Sequence, residues 1–147
     1  MMEEKTEAKK IPRILIVDDY PAILKSVKGY LGDILEDLGF KESIVHTAEN
    51  GRIALEMITK EGEYDLILSD YEMPEVDGIG LYKGLAPTQQ EKVIFVTGIS
   101  SELEKKLQPQ LRPNDYKSPL ILDKGKFHGM NVGELIKSYL EPKSAEQ

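Results

Sequence analysis

Cysteine is absent from the chain, and histidine occurs only at His46 and His128. Without cysteine there is no disulfide framework, no thiolate zinc site and no cysteine nucleophile. Two histidines far apart in sequence also leave no histidine-rich metal site. Long apolar runs are missing too. None approaches the roughly 20 residues that span a bilayer, and the start, MMEEKTEAKK, is charged rather than signal-like. Positive charge is in deficit: 19 lysines and arginines stand against 26 aspartates and glutamates, a net of −7. Residues 1–10 carry three charges of each sign and residues 141–147 contribute −1, so the middle holds −6. An acidic domain with no basic stripe binds nucleic acid poorly; magnesium or a basic patch on another protein is the better counter-charge. The expectation is a cytoplasmic protein with neither nucleic acid nor membrane as partner.

What is present fits one domain. The 147 residues are 40% hydrophobic and 31% charged, as in an ordinary globular chain. Residues 1–11 and 142–147 read as solvated tails around a domain at 12–141. Inside it, apolar runs alternate with helical spacing. Ile14 to Val17, Ile44 to Ala48, Leu66 to Leu68, Val93 to Val96 and Leu120 to Leu122 read as five strands, the second the weakest. A helix opens at Pro21, carries Ile23, Val27, Tyr30, Leu31, Ile34, Leu35 and Leu38 on its apolar side, and ends at Gly39. Asn50 caps a second helix bearing Ile53, Ala54, Leu55, Met57 and Ile58. A short one runs from about Gly78 to Leu85 and is stopped by Pro87, and Asn131 caps a last one through Leu140. A further helix over 101–107 is the least defined. Crossovers this long imply a parallel sheet with helices on both faces, whose ligands bind at the carboxyl ends of the strands.

The strand ends are where the chemistry gathers. Asp18 and Asp19 follow the first strand, Asp70 the third, Thr97 the fourth, and Asp123 and Lys124 the fifth. Crowded carboxylates repel, and a hard divalent cation with oxygen ligands relieves them. Lysine adds a point charge for phosphate and threonine a hydrogen-bond donor. These are the parts of phosphoryl transfer to a carboxylate. Alone, each has a plainer role: a capping acid, a β-branched strand residue, a solvated lysine.

In ILIVDDYPAI, YDLILSDYEMPEVDGIGL, VIFVTG and ILDKGKF, the sequence resembles the receiver domain of two-component response regulators, over about residues 12–141. The resemblance implies a flavodoxin-like, doubly wound five-stranded parallel sheet in the order 2-1-3-4-5. It implies that Asp70 accepts a phosphoryl group from a sensor histidine kinase or histidine phosphotransfer protein. Asp19 would then bind Mg2+ directly, Asp18 largely through water, with Asp70 and the Glu72 backbone carbonyl completing the protein ligands. Thr97 and Lys124 would contact phosphoryl oxygens. Too few residues follow 141 for an attached output domain, so the expected form is a stand-alone receiver similar to the chemotaxis-type single-domain regulators. It would signal by onward phosphotransfer or by a protein partner contacting residues 98–123.

Four features depart from that family. Gly125 replaces the proline after the lysine, and a cis bond before a non-proline residue costs about 2.5–4 kcal/mol. Lys126 is a second candidate for the lysine role, though Lys124 lies nearer the apolar run. Ile121 stands where the family places a switching aromatic ring. Thr97 and Lys124 are 27 positions apart, more than is usual, and the first helix is about one turn longer. Pro74 and Gly78 read as turn chemistry, His46 and His128 as surface or edge residues, Met57 and Met130 as packing, and Tyr30 and Tyr139 as core or partner contacts. Two alternative functions share these residues: a magnesium-dependent aspartyl-phosphate phosphohydrolase, with Glu72 as its acid/base, and a phosphate-independent scaffold.

Overall fold

The computed structural model describes residues 11–97, 120–123 and 132–140. The candidate helix over 101–107, Lys124, Gly125, Lys126, His128, Met130 and Asn131 lie outside these residues. Five strands are present: β1 (Arg13–Val17), β2 (Ile44–Ala48), β3 (Leu66–Ser69), β4 (Val93–Thr97) and β5 (Leu120–Asp123). All pair in parallel, in the order β2-β1-β3-β4-β5. β1 and β3 lie inside the sheet with both faces covered, which is why their runs are continuously apolar. β2 is an edge strand with three half-buried residues, matching its weaker pattern. Thr97 and Asp123 are the last residues of their strands and not the first residues beyond them.

The helices divide between the two faces. On one face α1 (Pro21–Asp37) and α5 (Val132–Leu140) bury Leu31, Ile34, Leu35, Val132 and Ile136 against Ile14, Ile16, Leu68 and Val96. On the other, α2 (Gly51–Glu61) and α3 (Gly78–Gly84) bury Ala54, Ile79, Leu81 and Tyr82 against Leu15, Val17, Ile67 and Phe95. Leu31 is fully buried, so Leu31→Ala would cost about 2–5 kcal/mol. The apolar stripe of α1 is turned slightly from expectation: Leu24 is buried, whereas Ile23, Val27 and Tyr30 are half-buried.

Local chemistry sets the boundaries. Pro21 takes the first turn of α1, where its missing N–H is no loss. At the other end Gly39, at φ 94°, donates to the Glu36 carbonyl and Phe40 donates to that of Leu35, the paired bonds of a Schellman stop. The Asn50 side chain accepts the Ile53 N–H at 2.9 Å and caps α2 as expected. Asp77 caps α3 through the Gly80 N–H, also at 2.9 Å. Pro87 does more than end α3. It opens a separate short helix, α4 (Pro87–Gln90), whose Gln89 is buried and exchanges two hydrogen bonds with the Tyr64 backbone.

Candidate functional site

Strand register brings the acids together. Val17 pairs with Ser69, so the next residues, Asp18 and Asp70, leave neighbouring strands at one level of the carboxyl edge. The Asp70 N–H donates to the Val17 carbonyl at 2.9 Å and continues the ladder one step past the strands. One carboxylate oxygen each from Asp18, Asp19 and Asp70 lies within 4.8 Å of the others. Asp18 and Asp70 are buried and Asp19 is half-buried.

Neighbouring groups hold two of the three. Asp18 Oδ1 accepts the Tyr20 N–H at 3.0 Å, and the Asp18 N–H donates to the Ala48 carbonyl at 3.1 Å. Asp70 Oδ1 accepts the Tyr71 N–H at 2.8 Å, while the Ser69 hydroxyl donates to the Asp70 carbonyl, also at 2.8 Å. Asp19 is different: its Oδ1 is buried and takes no hydrogen bond. A buried unpartnered carboxylate oxygen costs several kcal/mol unless something cationic meets it. That orphan atom, beside two further carboxylates, fits a hard divalent cation with oxygen ligands. An apolar cavity of about 200 Å³, floored by Ile16, Leu68 and Val96, adjoins Asp18 and Asp70 beneath α1.

The loop after Asp70 is tied at several points. Gly78 donates to the Tyr71 carbonyl at 2.7 Å, and Gly51 donates to the Val76 carbonyl at 2.9 Å. Glu75 sits at φ 68°, a left-handed conformation costly for a residue with a Cβ. Its carboxylate accepts Arg52 Nε at 2.6 Å, and Arg52 also reaches Glu56 at 2.7 Å. The Glu75 carboxylate first, and then that of Glu56, raises the Arg52 pKa above its ordinary value. Gly78 opens α3, where the sequence places the start of that helix, and its role is close packing rather than turn chemistry. A Cβ there would lie 2.9 Å from the Asp70 carbonyl oxygen and 2.8 Å from the Phe95 ring, so close packing demands the glycine.

The remaining site candidates fall as follows. Glu72 lies in this loop with its side chain exposed. Thr97 closes β4 with its backbone paired to Asp123, on the strand next to that of Asp70. Lys124 follows Asp123 and lies outside the described residues. Ile121 is half-buried and packs on the α2/α3 side of the core. His46 is half-buried on the edge strand, its Nδ1 2.7 Å from the Tyr64 hydroxyl. Arg52, Ser69 and Gly51 were not singled out from sequence as parts of the site. The roles of Arg52 and Gly51 depend on contacts across the fold, whereas Ser69 bonds the carbonyl of the adjacent Asp70.

Residues 14–115 match the family model of the response regulator receiver domain. The chain is 34% identical over 93 residues to chemotaxis protein CheY-3 of Vibrio cholerae, covering 63% of this chain and 66% of that protein. It is 35% identical over 104 residues to the transcriptional regulatory protein CpxR of Escherichia coli, 71% of this chain and 41% of that one. The match thus spans less than two thirds of either relative. Among solved structures, the response regulator TrrA of Thermotoga maritima, in complex with Mg(2+)-BeF, superposes with a TM-score of 0.64 at 28% identity. That match covers 88% of this chain and all of the other.

Proposed function

Because the chain belongs to the response regulator receiver domain family, we propose that it is a phosphorylation switch whose acceptor is Asp70. The family is a signalling domain rather than a turnover enzyme. The observation that carries the proposal is the meeting of Asp18, Asp19 and Asp70 at one strand edge, with a buried Asp19 oxygen left unpartnered.

In this reading a carboxylate oxygen of Asp70 attacks the phosphorus of a phosphohistidine on a sensor kinase or phosphotransfer protein. The P–O bond forms as the P–N bond breaks, the imidazole leaves with a solvent proton, and Asp70 becomes an acyl phosphate. The hydrogen bond from the Tyr71 N–H to Oδ1 keeps the acceptor carboxylate from turning away, while Ser69 holds the Asp70 backbone carbonyl. Asp18, Asp19, Asp70 and the Glu72 carbonyl would hold Mg2+, which supplies charge neutralisation for the phosphoryl oxygens when bound. Thr97 donates to one phosphoryl oxygen, and Lys124 balances the charge of another. Output then passes through residues 98–123 to a protein partner, or by onward phosphotransfer. No helix among the described residues is long and apolar enough to cross a membrane, and the chemistry suits the cytoplasm.

The test is intact mass after incubation with Mg2+ and a small phosphodonor such as acetyl phosphate. The wild type gains one phosphate and Asp70→Asn gains none, while both give the same far-UV circular dichroism. An undiminished adduct on the variant would overturn the assignment.

A further inference from the structure

The exposed face of α1 is charged against its own interests. Lys25 and Lys28 stand near its N-terminus, and Asp33, Glu36 and Asp37 near its C-terminus. A helix dipole favours the reverse, acids first and bases last. Like charges are also neighbours at i,i+3 and i,i+4: Lys25 with Lys28, Asp33 with Glu36, and Asp33 with Asp37. All five residues are exposed, and none has a side-chain partner among the described residues.

Two glycines occupy the same face. Gly29 and Gly32 lie mid-helix with ordinary backbone angles, and a Cβ on either would meet nothing within 4 Å. The domain's own packing does not ask for them, and each costs the helix about 1 kcal/mol relative to alanine. Lys25, Gly29, Gly32 and Glu36 fall at i, i+4, i+7 and i+11, the spacing of a single seam along a helix.

That seam is complementary to itself when turned end for end. In an antiparallel pair centred between Tyr30 and Leu31, Lys25 comes level with Glu36 of the partner subunit, and Gly29 with Gly32 of the partner subunit. Two ion pairs then flank a glycine contact where the axes can approach closely. The partner dipole opposes this one, so each misplaced charge gains a favourable neighbour. We propose that this face of α1 is a homodimer surface, occupied by α1 of a second copy of the chain. The surface is narrow and polar, so the dimer is weak and reversible. It stands independently of the phosphoacceptor reading.

Sedimentation velocity of the full chain at low salt, over a wide concentration range, tests it. The wild type should self-associate reversibly, and less so as salt rises. Lys25→Glu and Glu36→Lys place like charges opposite each other, so each alone should associate at least about tenfold more weakly. Mixing these two variants restores opposite charges at both contacts and should recover association as a heterodimer. Gly29→Gln should raise the melting temperature yet weaken self-association. A wild type that stays monomeric throughout, single variants that associate like wild type, or a mixture no tighter than its parts would overturn the proposal. So would charge variants that slow phosphotransfer from a kinase yet leave self-association unchanged, which would assign the face to a phosphodonor.

Discussion

The Gly51 N–H donates to the Val76 carbonyl at 2.9 Å, and a Cβ on Gly51 would collide with that same oxygen. One glycine thus joins the start of α2 to the loop that follows Asp70.

Gly51→Ala would normally gain about 1 kcal/mol of helix propensity. Here the methyl group must displace backbone, and overpacking of that kind costs roughly 1–3 kcal/mol. Net destabilisation is expected in urea unfolding, with slower phosphate incorporation as the loop moves from Asp70. An alanine variant as stable as wild type would show that the loop yields freely.

Removing Asp19 separates stability from chemistry. In EDTA, Asp19→Ala relieves both an unpartnered buried oxygen and like-charge crowding, and should be more stable by about 1–3 kcal/mol. Adding Mg2+ should raise the melting temperature of the wild type but not of the variant. EDTA should also stop phosphorylation of the wild type, and an unchanged rate would reject the cation's role.

Alkaline pH should weaken the fold through Tyr64. Burial raises its phenol above the ordinary value, against a smaller opposing pull from Arg13, which stacks 4.9 Å from the ring centroid. Tyr139 shifts the same way through burial. A raised folded pKa means that the folded chain holds the proton more tightly than the unfolded one. Stability is therefore intact below about pH 10 and falls as pH climbs through the folded value. Tyr64→Phe should cost about 1 kcal/mol at neutral pH by losing the His46 contact, yet decline less steeply above pH 10.

Thr97→Ala tests how the site reports its state. With Ile121 half-buried in place of a ring, the response should run through the backbone after Thr97. Beryllofluoride with Mg2+ should change amide exchange most in residues 98–119 and little in α1. The alanine variant should accept phosphate more slowly and lose that exchange response. A response confined to α1 would reject this route.

The fold was legible wherever a residue's role is local. Continuous β-branched runs, Asn50 as a cap and Gly39 as a stop all follow from near-neighbour physics, and so does the parallel sheet with acids at its strand ends. The rest depends on contacts across the fold. Gly51 and Gly78 are glycines because Val76, Asp70 and Phe95 crowd them from elsewhere in the chain. Arg52 matters because Glu75 is folded back towards it. Whether Ile23 or Leu24 faces inward rests on how α1 rolls on the sheet, which its own periodicity leaves open by one position.

The pairing of Val17 with Ser69 also shapes the folding route. Asp18 and Asp19 are about fifty residues from Asp70 along the chain, so in the unfolded ensemble their charges scarcely meet. They are brought together when β1 pairs with β3, a long-range closure that carries an entropic cost. Repulsion between Asp70 and the Asp18–Asp19 pair is therefore a cost of that strand pairing. A divalent cation bound among the three carboxylates would offset that repulsion, so it would stabilise the β1–β3 pairing as well as the site.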